Sequence, residues 1–399
     1  MQKVILFSFF FLLLVKGAAA QDFKVVGYLP SWKSANYLDK VEWGRITHLN
    51  IAFANPDANG KLQTEGYDIA PIVAAAHRHG VKAFISVAGG FLYPDWKAAW
   101  QFRMEPAQRN AFISGIVQYV IDHDLDGVDV DLEWSDVKET YSPFVIALRA
   151  ALAAKNLQMT AALPGGYRYP QISKEALDAF DWINLMIYDK TGPWDPNNPG
   201  PHAPYDWTLQ CLDYWQRQGL SPERMTLGVP FYGYDFGVLP VKSFTFHQIV
   251  AMNPVFAQRD FVDKLFYNGI PTIQQKTALA ISQLSGIMIW ELAQDAFFPY
   301  EHLSLLKAID EVVHMRTAID SDRAIAVRIF PNPVADVLNI RGADWQEVTA
   351  EVLDVQGKII FRRSLEADTA LSLAGLPAGM YFLRLQWQQK IWVGKFSKM

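Results

Sequence analysis

The strongest constraint on the fold is an alternation. Between Phe23 and about Arg316, short apolar runs rich in β-formers are separated by stretches with helical spacing. The runs are KVVGYL, ITHLNIAFA, VKAFISVAG, LDGVDVDLEW, LQMTAALP, DWINLMIY, RMTLGVPFY and GIMIWEL. The helical stretches between them include Tyr67 to His79, Pro106 to His123, Pro143 to Lys155, Leu209 to Gln218 and Thr272 to Gln283. Strands joined through helices lie parallel, because a parallel pair needs a long crossover where an antiparallel pair needs only a turn. Eight such units over nearly 300 residues predict an α/β fold closed as a (β/α)8 TIM barrel. An open doubly wound sheet is the alternative, but no glycine-rich phosphate fingerprint follows the first run.

The pattern changes after HMRTAIDSDRA, a polar stretch read as a linker. Downstream, short alternating strands are punctuated at Asn332-Pro333, Gln356-Gly357 and Pro377-Ala378-Gly379, which predicts a small all-β sandwich. The expected layout is a signal segment at 1–20, the barrel at 21–316, the linker at 317–326 and the sandwich at 327–399. The signal reading rests on Lys3, the apolar run Val4 to Val15 and the small residues Ala18-Ala19-Ala20. It implies export, with a mature chain starting near Gln21; the run is too short to span a membrane. Cys211 is the only cysteine, so no internal disulfide can form and stability must come from the core.

Composition narrows the partners. Charged residues are 19% of the chain and the formal net charge is -5, with no long run of either sign. That offers no basic footprint for nucleic acid and no polybasic patch for a membrane surface. The 13 Trp, 16 Tyr and 25 Phe suit a large core and, for a minority, the apolar faces of sugars.

The fourth run, Leu125 to Trp134, is the most informative. Residues two apart on a strand share a face, so Asp129, Asp131 and Glu133 form one column and Val128, Val130 and Leu132 the other. In a barrel the apolar column meets the helices, and the carboxylates point inward with Glu133 at the C-terminal mouth. Neighbours in the column are roughly 6 to 7 Å apart along the strand. Desolvation and mutual repulsion should then raise at least one pKa and equip Glu133 as a general acid. Three other readings stand beside catalysis: a solvated edge strand, a metal site and a structural polar network.

Asp126, Asp129, Asp131 and Glu133 fit Asp-x-x-Asp-x-Asp-x-Glu, and here the chain resembles glycoside hydrolase family 18, the chitinase-type barrels. The resemblance extends around the barrel, through VVGYLPSW, THLNIAFA, MIYD, LGVPFYGYDF and GIMIWELAQD. It departs at the third strand, where Ala88 stands in the place of a usual glycine; only a slight effect on backbone packing is expected. The resemblance implies a substrate-assisted retaining mechanism, for which this family is an exception to the two-carboxylate scheme. Glu133 would protonate the glycosidic oxygen while the sugar's own acetamido carbonyl attacks its anomeric carbon. Asp131 would orient the acetamido N–H, Asp129 would share a proton with Asp131, and Tyr188 would hydrogen-bond the acetamido oxygen. Trp290 would form the floor of the site, with Tyr28, Phe53, Met186 and Asp189 around it. No cofactor or metal is implied, and the partner would be chitin or another glycan containing N-acetylglucosamine.

Trp32, Trp96, Trp134 and Trp194 are candidate stacking platforms, with packing as the competing reading. The loop Thr191 to Trp207 should shape the groove, and its His202 reads as a solvated histidine. About fifty residues separate FYGYDF from GIMIWEL, so the small α+β insertion common in the family is expected to be absent, giving an open groove suited to endo cleavage. The tail, through FPNPVADVLNI, DVQGK, LPAGMYFLRL and KFSKM, resembles the C-terminal sorting domains of the type IX secretion system. This implies passage through the periplasm of a Bacteroidetes-type bacterium to the outside or the cell surface, with secretion machinery as a second partner. The rival functions are an endo-β-N-acetylglucosaminidase acting on N-glycans and a chitin-binding lectin.

Overall fold

The computed structural model describes residues 23–322, 327–341, 348–354, 358–365, 369–387 and 390–399. The expected signal segment and the Gln356-Gly357 turn lie outside these residues. The chain forms two compact units, divided at Lys307 and Ala308.

In the first unit, the eight barrel strands are Lys24–Pro30, His48–Pro56, Lys82–Ala88, Gly127–Asp131, Gln158–Pro164, Trp182–Met186, Met225–Pro230 and Gly286–Trp290. They pair in sequence order, all in parallel. The first strand also pairs with the eighth, Val25 opposite Ile287, which closes the barrel. The eight runs become strands because their outward residues, such as Val128, Val130 and Ile183, are fully or almost fully buried under the helices. At the lower end, the rings of His48, Phe84 and Trp182 pack together at centroid distances of 4.9 to 5.9 Å. Burial, helped by the charges of Lys82 and Lys24, lowers the pKa of His48 to about 3, so this ring is uncharged at neutral pH.

The helices match the spacing with small boundary shifts. Ala70–Arg78 starts later than the periodicity predicts, with Pro71 in its first turn. Tyr141–Ala153 starts two residues earlier than expected. The helix Leu305–Asp322 runs through the first six residues read as linker; no Gly or Pro interrupts that stretch, and polarity alone does not end a helix.

The largest difference lies between the seventh and eighth strands. An insertion expected to be absent is present in compact form: Tyr232–Asp235, Lys242–Thr245, Phe261–Val262 and Leu265–Phe266 make a four-stranded antiparallel sheet. The helix Phe246–Met252 accompanies it, started by a capping box of Thr245 and Gln248. Strands of two to four residues carry almost no periodic signal, which is why length alone was a poor guide.

The second unit holds two antiparallel sheets. One joins Arg328–Phe330, Val337–Arg341 and Thr369–Ser372; the other joins Ile359–Leu365, Val348–Leu353, Gly379–Trp387 and Lys390–Lys398. Leu338, Ile340, Val352, Leu371, Leu383, Leu385 and Phe396 fill its core, as the alternation predicts. Among the described residues, no helix is long and apolar enough to cross a membrane.

Candidate active site

The fourth strand places its two columns as the period-two pattern requires. Asp129 is fully buried inside the barrel and accepts four hydrogen bonds, one from each of four other strands. Tyr28 Oη and Ser86 Oγ donate to its Oδ2 at 2.6 and 2.8 Å. Thr160 Oγ1 and Asn184 Nδ2 donate to its Oδ1 at 2.6 and 3.1 Å. Asn184 is itself oriented by Trp182 Nε1 and Thr226 Oγ1, which both donate to its carbonyl oxygen. Burial pushes the Asp129 carboxyl above its ordinary range, and its hydrogen-bond donors oppose that push. None of the four donors is Asp131.

Asp131, 3% exposed, is the opposite case. Its Oδ1 is buried and has no hydrogen-bond partner among the described residues. Burial, then the charges of Glu133 and Asp129, hold its carboxyl well above the usual carboxylate range. Glu133 lies just past the end of the strand with extended backbone, φ -120° and ψ 158°. Burial, assisted by the Asp189 charge, pushes it up to about 7. Gly90 makes room for it: a Cβ there would lie 3.0 Å from Glu133 Oε1.

The third strand delivers Gly90 through a strained turn. Ala88 has φ +92° and is almost completely buried. That conformation is disfavoured for a residue with a Cβ, so the Ala-for-Gly exchange bears on the backbone more than expected.

Tyr188 and Asp189 follow the sixth strand. Burial and the nearby carboxylates keep the Tyr188 hydroxyl protonated, and its acceptor is the weak one of Met288 Sδ, 3.9 Å away. Gly228 leaves room for this ring, since a Cβ there would lie 3.1 Å from it. Asp189 Oδ1 accepts from Tyr232 at 2.5 Å and Tyr234 at 3.1 Å, both on the first strand of the insertion. His202 Nδ1 is 3.4 Å from the same oxygen, and its Nε2 is 3.2 Å from the Tyr232 carbonyl. His202 is 1% exposed, so the solvated reading is corrected: its loop folds inward over the insertion strand.

Tyr28, Phe53, Asp131, Glu133, Met186, Tyr188, Asp189 and Trp290 line one cavity of 640 Å³, and Trp134 and Trp194 complete its wall. Asp129 lies beneath it. The volume suits a small-molecule or sugar ligand. Trp290 stacks on Phe53 at 5.7 Å and 19°, and Tyr28 leans on its ring at 5.4 Å. A second cavity of 540 Å³ shares Phe53, Gly90 and Trp290 with the first and adds Trp32, Tyr67, Tyr93 and Trp96. All four candidate platform tryptophans therefore border this groove. Asp126 stays at the other end of the strand, where its Oδ2 accepts from Ala83 N and meets His77 Nε2.

Ser86, Thr160 and Asn184 were not singled out from the sequence. Each is a fully buried polar residue inside a strand whose neighbouring positions are apolar, and that is the signal that could have found them. An inward hydroxyl or amide in a barrel requires a partner there.

Both parts of the chain resemble known proteins. Residues 328–398 match the Secretion system C-terminal sorting domain. A "chitinase-like effector" of Moniliophthora roreri is 31% identical over 251 residues, 54% of this chain and 60% of that protein. Its counterpart in Moniliophthora perniciosa is 27% identical, over 57% of this chain and 59% of that one, so the chain spans about three fifths of these curated relatives. The family 18 chitinase ChiB from the chitin utilization locus of Flavobacterium johnsoniae is 43% identical, with 74% of this chain and 94% of that chain covered and a TM-score of 0.71. A chitinase from Bacteroides thetaiotaomicron is 29% identical, with 73% and 96% covered and a TM-score of 0.65. Residues 24–295, which hold all eight barrel strands and the carboxylate column, match the Glycosyl hydrolases family 18 pattern, and the chain belongs to that family.

Proposed function

We propose that the chain is a secreted chitinase that cuts β-1,4 linkages between N-acetylglucosamine units with assistance from the substrate's acetamido group. The observation that carries this reading is the unpartnered, buried Oδ1 of Asp131, in the cavity that also holds Glu133 and the Tyr188 hydroxyl. An acetamido group offers an N–H to Asp131 and a carbonyl oxygen to Tyr188, and so matches both. Glu133, protonated near neutral pH, donates to the leaving glycosidic oxygen. The acetamido oxygen forms a bond to the anomeric carbon as the glycosidic bond breaks, giving an oxazolinium ion. The developing positive charge favours the ionised form of Asp131, and that carboxylate stabilises the ion in return. Water then attacks the anomeric carbon, loses its proton to Glu133 and restores the acetamido group.

Endo cleavage is the preferred mode. Its support is the continuity of the two cavities, which extends the groove past Trp290 on one side, while Trp134 and Trp194 border it on the other. The tail fits passage through the periplasm and across the outer membrane by the type IX machinery.

The test is hydrolysis of N-acetylglucosamine oligomers and of a high-mannose glycopeptide by wild type and Glu133→Gln. Wild type should cut the oligomers, and the variant should lose about 10³-fold in kcat. Cleavage of the glycopeptide alone would move the assignment to an N-glycan hydrolase, and binding without cleavage of either would make the protein a lectin. Release of disaccharide only, from one chain end, would overturn the endo mode.

A further inference from the structure

Trp32 and Trp290 belong to opposite ends of the barrel sequence, yet each is followed directly by one member of an ion pair. Lys33 Nζ lies 2.6 Å from Glu291 Oε1. The other oxygen of Glu291 accepts from the Ala293 backbone N–H at 2.9 Å, so both oxygens of a carboxylate that is 1% exposed are held. On the aromatic side, Trp32 packs on Phe53 at 6.2 Å, and Phe53 stacks on Trp290 at 5.7 Å. Trp32, Lys33, Glu291, Trp290 and Phe53 therefore close a ring, drawn from the turn after the first strand, the second strand, and the end of the eighth strand with the residue after it.

The ring joins the two halves of the groove. Trp290 lines both cavities, whereas Trp32 lines only the second. Stability is a weak reason for such a pair, because Lys33 is 31% exposed and water screens its attraction to the buried carboxylate. Geometry is a better one: the ammonium fixes the turn that carries Trp32 relative to the residue that anchors Trp290.

We propose that Lys33 is a positioning residue for glycan binding, which through Glu291 sets the spacing between the Trp290 floor and the Trp32 wall. Resting on the function proposed above, this makes the ion pair selective for N-acetylglucosamine chains long enough to leave the central cavity and reach Trp32. Lys33 itself touches no sugar in this arrangement.

The experiment titrates the full chain carrying Glu133→Gln, in which binding is read without turnover, with the N-acetylglucosamine disaccharide and hexasaccharide. Adding Lys33→Met should weaken the hexasaccharide about fivefold and leave the disaccharide within about a factor of two. Lys33→Arg should restore the loss. In a Trp32→Ala background, Lys33→Met should have no further effect. Equal losses for both ligands, no loss, or a loss undiminished in the Trp32→Ala background would overturn the proposal. A ligand-free readout separates this from failure of the substrate assignment: acrylamide quenching of tryptophan emission should rise with Lys33→Met, and not when Trp32 is already Ala. A protein that binds neither oligomer but shows that rise loses the substrate and keeps the clamp; one without the rise loses the clamp.

Discussion

Asp129 and Asp131 sit two residues apart on one face of one strand and live in opposite environments. The first accepts four hydrogen bonds, and the second has a buried oxygen that accepts none. Their amide variants should therefore fail in different ways. Asp129→Asn sets an N–H2 against converging donors and should cost about 2 kcal/mol of stability. Asp131→Asn should leave the urea midpoint unchanged or raised at neutral pH while kcat falls about 10²-fold or more. Parallel urea melts and initial rates check the contrast; a destabilised Asp131→Asn would refute it.

Glu133 should burden the fold at neutral pH. Its folded-state pKa is about 7 against an ordinary 4.5, so the native chain holds a proton that the unfolded chain releases. Native stability is then lost as pH rises from 4.5 through 7, and glutamine does not titrate. Glu133→Gln should be no more stable than wild type at pH 4.5, and more stable by roughly 1 to 3 kcal/mol at pH 8. Urea unfolding at the two pH values measures the difference.

Asp189 should set the upper pH limit of activity. Its negative charge adds to the burial that raises Glu133, so Asp189→Asn removes part of the shift. The alkaline limb of kcat/KM, where Glu133 loses its proton, should move to lower pH, separately from any fall in the maximum. A full pH profile reads this directly, and a limb that stays in place or moves upward contradicts it.

Ala88→Gly should stabilise the protein. At φ +92° the alanine carries backbone strain that glycine does not, and removing it should gain about 1 kcal/mol, measured as a higher Tm. A loss of stability would mean that the buried methyl group contributes more than the strain costs.

The barrel and its carboxylate column were legible because each follows a period that sequence displays. Val128, Val130 and Leu132 alternate with Asp129, Asp131 and Glu133, and the apolar runs recur with helical stretches between them. What escaped depends on register and on loops. Nothing local says that Ser86 and Thr160 both stand opposite Asp129; that pairing emerges only when the strands align. His202 sits among Pro, Gly and Asn, a setting that reads as solvated, and it is buried only because the loop folds back on Tyr232 and Tyr234. The short strands of the insertion escaped for the same reason, since their order comes from pairing with Tyr232–Asp235 and with one another rather than from any pattern of their own.

That insertion strand has a consequence for engineering. Tyr232 and Tyr234 hold the carboxylate whose field reaches Glu133, so the excursion between the last two barrel strands is not an interchangeable cassette. A chimera that took its groove wall from another barrel would inherit a different working pH along with a different shape, unless the two tyrosines travelled with it.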